Sequence, residues 1–222
     1  MNKNSTIFLT GASGHIGAHL KDHFTSLGHE VIAPTRSECD LSVNGSTAKF
    51  IDTLLQSGKE IDYIICNAAD QSVASLRDLE PLAVAKMLQI NFTSVAEIFS
   101  VVASNPGIVE SILTISSIEA LTPRPGHLIY GASKAALESL SRSAAVEISP
   151  TRTNALRLGL ISRPGIESSW PEGVSAWRQS TPLQRMGDVT DVSKAAQFLL
   201  ESEWITGEVL TLDGGNSVKP GW

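Results

Sequence analysis

Cysteine is scarce: the 222-residue chain holds two, Cys39 and Cys66, too few for a disulfide framework or a metal site. Both close apolar, strand-like runs, so they read as small buried side chains in a reducing compartment. An excess of basic charge is lacking as well. Lys and Arg number 17 against 23 Asp and Glu, a net of −6, and the charges are spread along the chain, which argues against a nucleic-acid or anionic-membrane surface. No apolar run approaches the roughly 20 residues of a bilayer span, and no charged region leads into Thr6-Ile7-Phe8-Leu9. The expectation is a cytoplasmic protein with no membrane or secretory segment. Internal repeats, low-complexity tracts and linkers are missing too. With 42% hydrophobic residues, residues 1–222 are enough for one domain with a sizeable core.

What is present is alternation. Short apolar runs rich in Ile, Val and Leu predict strands at 6–10, 30–34, 62–67, 111–116, 154–158 and 208–212, and helical spacing fills 15–27, 46–56, 80–104, 127–148 and 189–200. This predicts an α/β fold: a doubly wound, mainly parallel Rossmann sheet of six or seven strands with helices on both faces. Only a few residues separate the second strand from Cys39-Asp40-Leu41, whereas a parallel crossover needs about a dozen. A third edge strand is therefore a stub or missing. Residues 159–186, with Pro164, Pro171, Pro182, Trp170 and Trp177, lack clear periodicity and read as a long functional loop.

After the first strand comes Thr10-Gly11-Ala12-Ser13-Gly14-His15-Ile16-Gly17, and the chain then enters a helix. Gly11 permits a tight turn, Gly14 lets backbone approach a pyrophosphate, and Gly17 allows close packing of helix on sheet. Beyond the second strand, Thr35 stands where a ribose-binding carboxylate is expected, followed by Arg36 and Ser37. An Arg there suits a 2′-phosphate, so NADP(H) is favoured, with NAD(H) remaining if Glu38 supplies the carboxylate instead.

In Tyr130-Gly131-Ala132-Ser133-Lys134, the Tyr and the Lys lie one helical turn apart on the same face. A neighbouring ammonium stabilises a phenolate and lowers a phenol's pKa from about 10. The preceding strand ends in Ile115-Ser116-Ser117, placing hydroxyls at the carboxyl edge where open α/β sheets bind ligands.

Taken in order, the glycine loop, Asn67-Ala68-Ala69, Asn91, Ser116-Ser117, the Tyr130 to Lys134 motif, Asn154 to Gly159, and Ile205-Thr206-Gly207 through Asp213-Gly214-Gly215 resemble the short-chain dehydrogenase/reductase family, in its compact single-domain branch. The resemblance spans essentially the whole chain. It implies an oxidoreductase that transfers hydride between NADP(H) and a carbonyl or secondary alcohol, with Tyr130 as acid/base. By the same resemblance, Lys134 lowers the Tyr130 pKa and holds the nicotinamide ribose, Ser117 binds the substrate oxygen, and Asn91 anchors a proton relay. Asp40 and Leu41 are implied at the adenine, Asn67, Ala68 and Ala69 along the cofactor, and Gly159 and Ile161 in the loop over the nicotinamide. No metal is implied. The partners it implies are a small carbonyl or alcohol substrate and a second copy or three further copies of the chain, associating through the 80–104 and 127–148 helices; terminal Trp222 hints at a subunit contact.

Several positions depart from the family pattern. The loop glycines fall at its second, fifth and eighth positions, closer to the extended epimerase and dehydratase branch, and His15 stands where the compact branch has Gly. That histidine is either an extra phosphate partner or a surface substitution. A nicotinamide-dependent sugar-nucleotide epimerase or dehydratase, and a catalytically silent dinucleotide-binding sensor, stay open as alternatives. Ala replaces Gly in Asn67-Ala68-Ala69, and Leu158 replaces Pro before Gly159. Substrate choice is expected in residues 118–129 and 159–186. Trp170 and Trp177 serve there either as pocket walls or as packing, Arg163, Arg178 and Arg185 could meet an anion, and Arg124 and His127 precede Tyr130.

Overall fold

A computed structural model describes residues 4–218, so Trp222 lies outside the described residues. Its centre is a parallel six-stranded sheet in the order β2-β1-β3-β4-β5-β6. The strands are β1 (Thr6–Leu9), β2 (Glu30–Ile32), β3 (Tyr63–Cys66), β4 (Ser111–Ser117), β5 (Arg152–Leu158) and β6 (Val209–Leu212). Each predicted strand is present, with ends shifted by one or two residues. Strand side chains alternate between faces, so an apolar run in a sheet covered on both sides feeds two cores. Phe8, Ile64 and Ile112 pack with Ile51, Ile98, Phe99, Val102 and Leu137 on one face. Ile7, Leu9, Ile65 and Leu113 pack with Leu20, Phe24, Val192, Ala196 and Leu199 on the other.

The first of these layers is built from α2 (Ser46–Gln56), α4 (Ser94–Ser104) and α5 (Leu128–Glu147), and the second from α1 (His15–Ser26) and α8 (Val189–Glu201). Strand β2 has three residues and is the sheet's edge; the chain passes from it through a turn into α2 and then to β3 on the far side of β1. The expected loss of an edge strand is thus what the sheet shows. Between β1 and β3 the strand order reverses, and there the carboxyl ends of the strands open a crevice.

Residues 80–104 differ from the single helix expected. They form α3 (Pro81–Leu88), a π-helical turn at Gln89–Thr93, and α4. At the centre of the π-helical turn is Asn91, whose buried amide is bonded outside the helix, as described below. This run, Pro81–Ser104, is also long and apolar enough to cross a membrane by length and composition, contrary to the sequence expectation. Its inner face, Val95, Ile98, Phe99 and Val102, is spent in the core.

The long loop after β5 is not structureless. It holds α6 (Ile166–Ser169) and α7 (Pro171–Ser180), closed by a parallel bridge between Ile161 and Gly187. Ile166, Val174 and Met186 form a small core of their own, with Leu160 and Trp177 against it.

Candidate active site

Gly11 adopts φ +70°, and a Cβ there would stand 2.7 Å from the Ala68 Cα. At Gly17 a Cβ would meet the Gly11 carbonyl oxygen at 2.1 Å and the Asn67 amide nitrogen at 2.7 Å. Helix and loop therefore touch through backbone, and the segment after β3 presses against both. Asn67 ties them, its side chain donating to the Thr10 and Gly11 carbonyls at 3.1 Å each, while the Thr10 hydroxyl accepts from the Asn67 and Ala68 amides at 3.0 and 3.1 Å. Gly17→Ala is expected to cost about 1–3 kcal/mol, because the clash is with backbone that cannot yield cheaply. Thermal unfolding checks it, as a fall of several degrees.

Gly14 is the N-cap of α1, which has no side-chain cap and no acidic residue in its first turn. Its leading amides and its dipole thus face the crevice without a competing anion, and Ser13, Gly14 and His15 are exposed there. The cradle fits a dinucleotide's phosphates on its own geometry. His15 turns instead to the loop after β5, its Nε2 lying 3.0 Å from the Ser162 carbonyl oxygen, and Ile16 is half-buried against the core.

At the other end of the crevice the turn after β2 is internally bonded. The Glu38 carboxylate accepts from the Thr35 amide at 2.7 Å and the Thr35 hydroxyl at 2.8 Å, and those bonds, the backbone one first, hold its carboxyl below the ordinary value. It is thereby drawn back onto the chain. Arg36, mostly exposed, reaches Asp40 at 3.3 Å. Asp40 also accepts from the Ser42 amide and hydroxyl at 2.9 and 2.7 Å, and chiefly the Ser42 bonds keep its carboxyl below its usual range. Ser37 lies beside Thr35, with 2.9 Å between hydroxyls. Leu41 is half-buried, and Cys39 is buried in this turn rather than at a strand end.

The residues expected to do chemistry meet at the carboxyl end of β4. Tyr130 and Lys134 are both buried in α5. The Gln71 amide, from the loop after β3, donates to the Tyr130 hydroxyl at 3.4 Å, and Ser117, the last residue of β4, lies beside that hydroxyl. Burial pushes the Tyr130 hydroxyl up to about 12; Ser117 and Gln71 pull against it, and the Glu119 carboxylate adds to the rise. The Lys134 ammonium donates to the Ile115 carbonyl at 2.6 Å and sits 5.7 Å from the centre of the Tyr130 ring. Burial brings Lys134 down to about 8.

Asn91 is buried, and its amide is fully used: Oδ1 accepts from the Asp70 amide at 2.7 Å, and Nδ2 donates to the Asp70 carbonyl at 2.9 Å and to Ser133 at 3.0 Å. It clamps the loop after β3 to α5. Beneath the site, Glu138 accepts from Ser116 at 2.7 Å and from two Arg157 nitrogens at 2.8 and 2.5 Å, and Arg157 also reaches Thr211 at 3.1 Å. This bridge joins α5 to β4, β5 and β6. Neither it nor Gln71 was among the sequence expectations.

Around the site's mouth, Glu119 faces His127 Nδ1 at 3.0 Å and Arg124 at 3.8 Å. The Arg124 guanidinium stacks 4.3 Å above the Trp170 ring. These side chains of 118–129, with Leu128 and Gly131, line a cavity of about 260 Å³. A larger hollow, about 580 Å³, lies against α7, and neither cavity is lined by Asn91, Ser117, Tyr130 or Lys134. Both tryptophans are largely packing: Trp170 covers Gly173, and Trp177 lies against Gly159 and donates to the Arg185 carbonyl at 3.1 Å. Arg178 and Arg185 pair with Glu167 and Asp191 at 2.5 and 2.7 Å.

Known proteins resemble this chain in sequence and in fold. Residues 4–217 match the family model described as enoyl-(acyl carrier protein) reductase. Glucose 1-dehydrogenase of Gluconobacter oxydans is 27% identical, over 94% of this chain and 90% of its own length. A short-chain dehydrogenase/reductase of Arabidopsis thaliana is 30% identical over 80% of this chain and 72% of its own. Among solved structures, gluconate 5-dehydrogenase from Burkholderia cenocepacia, in complex with NADP and tartrate, shares the fold with a TM-score of 0.82 at 19% identity, covering 99% of this chain and 97% of that one.

Proposed function

This chain belongs to the short-chain dehydrogenase/reductase family, and from that premise we propose that it catalyses reversible hydride transfer between NADP(H) and the carbonyl or secondary alcohol carbon of a small substrate. The observation that carries the reading is the placement of Ser117, at the end of β4, beside the Tyr130 hydroxyl, with Lys134 one turn along α5 and the uncapped start of α1 at the same carboxyl edge of the sheet. A binding protein without turnover has no need of that set. Thr10 to Gly17 would hold the pyrophosphate, Arg36, Ser37, Asp40 and Leu41 the adenosine end, Asn67 to Ala69 the span between, and Lys134, Gly159 and Ile161 the nicotinamide side. Bound cofactor supplies or accepts the hydride.

The chain's own part is orientation and proton transfer. The Ser117 hydroxyl donates to the substrate oxygen and fixes its position. Tyr130, strongly protonated at neutral pH, gives its proton to that oxygen during reduction. In the reverse direction it must first be a phenolate, so alcohol oxidation rises with pH while reduction does not need the rise. Lys134 stabilises the phenolate when its ammonium is turned from Ile115 toward the ring, and Asn91 holds the surrounding backbone fixed. Residues 159–186 close the site on its open side and, with 118–129, select the substrate. Homodimers or homotetramers in the cytoplasm complete the proposal.

Spectrophotometric screening with NADPH and NADH over aldehydes, ketones, quinones and 3-oxoacyl thioesters tests it. Tight NADPH binding with no turnover of any class would favour a sensor. The cofactor preference rests on Arg36, since Glu38 is spent on Thr35. Arg36→Ala is expected to raise KM for NADPH about tenfold or more, the loss of one charge-assisted phosphate contact, and to leave KM for NADH nearly unchanged. Equal changes for both cofactors would refute the preference.

A further inference from the structure

We propose that Gln71 is a further catalytic residue, donating a hydrogen bond to the Tyr130 hydroxyl oxygen that strengthens as this oxygen becomes an anion. The inference rests on the acid/base reading of Tyr130 above. A phenol oxygen has one proton and two lone pairs. The Gln71 amide, 3.4 Å away, occupies a lone pair and leaves the proton free for the substrate. Hydrogen bonds to a charged oxygen are about twice as strong as those to a neutral one, so the contact favours the phenolate.

The placement is fixed by other residues. Asp70, the preceding residue, is held through its backbone amide and carbonyl by Asn91, and its carboxylate accepts from the Ser72 amide at 2.9 Å. Further on, the Ala74 amide donates to the Gly126 carbonyl at 2.9 Å. Gln71 thus sits on a loop clamped at both sides, while its own side chain is exposed and, among the described residues, bonds Tyr130 alone. A glutamine kept only for structure has no reason to spend its amide there.

Two variants separate the possibilities. Gln71→Leu removes the donor, and Gln71→Glu replaces it with a carboxylate that cannot donate and repels the phenolate. In the pH profile of kcat/KM for alcohol oxidation, the apparent pKa is expected to rise by about one unit in Gln71→Leu and further in Gln71→Glu. Thermal stability should stay as in the unsubstituted protein.

A second readout needs no turnover. The chain has two tyrosines, and Tyr63, bonded to Glu110, is pushed up beyond Tyr130 by burial and that carboxylate. Carbon NMR of ring-labelled tyrosine therefore follows Tyr130 alone as its ionisation begins, with Tyr130→Phe assigning the signal. The onset should move to higher pH in both variants. Coincident profiles and onsets in all three proteins would overturn the inference while leaving the proposed reaction standing. Absence of turnover in the unsubstituted protein would instead strike the proposed reaction, and the NMR onset would still decide the hydrogen bond.

Discussion

Tyr130→Phe is expected to lower kcat by about 10²- to 10⁴-fold, the range that a positioned proton donor contributes, while the variant binds NADPH as before. The ring keeps its place in α5, so folding is not at stake; only one oxygen goes. Its loss leaves the Gln71 amide without its acceptor, and Gln71 is exposed, so water can take that place. Single-turnover kinetics beside cofactor titration check the split. A variant with full activity would show that the proton comes from elsewhere.

The second large effect concerns the bridge beneath the site. Arg157→Leu is expected to destabilise the protein by about 3–5 kcal/mol, because it strands the nearly inaccessible Glu138 carboxylate without its counter-charge. Total stability of a domain is only about 5–15 kcal/mol, so this one change removes a large share. Breaking the exposed Lys59–Glu30 pair, 2.6 Å apart, is worth about 0–1 kcal/mol by contrast. Distance does not separate the two cases; burial does. Combining Arg157→Leu with Glu138→Leu should recover much of the loss, since an apolar pair of similar volume needs no counter-charge. Urea unfolding of the two variants checks both statements. If the double variant is no more stable than the single, Ser116 and Thr211 depend on the bridge more than the charges do on each other.

The sheet was readable because each strand is a short run carrying Ile, Val or Leu, set between stretches of helical spacing, and the glycine loop because its spacing serves one purpose. Glu138 and Arg157 were not. They lie nineteen residues apart in a helix and a strand, and nothing in either local pattern announces that they meet. The π-turn at Asn91 was hidden for a related reason, since the apolar spacing of 80–104 runs through it undisturbed and the Asn91 partner, Asp70, is remote in sequence. Gln71 is likewise a polar residue in a loop until Tyr130 is placed beside it. Helix α7 did carry a local signal, Pro171 at its start, but three prolines within 159–186 masked the periodicity. The glycine loop and Arg36 pointed to a dinucleotide on their own, whereas the roles of Asp40, Leu41, Asn67, Gly159 and Ile161 were accessible only through the family resemblance.

The brevity of β2 has a practical consequence for redesign. A conventional crossover would bury the adenine-side turn between sheet and helix, tying any change there to the stability of the whole. Here the turn follows a three-residue edge strand and is bonded mainly within itself, through Thr35, Glu38, Asp40 and Ser42. Residues 35–38 therefore form a replaceable cassette. A graft that swaps the coenzyme preference can be made in them with little debt to the folding of the sheet, and the reaction centre at Tyr130 would not register the exchange.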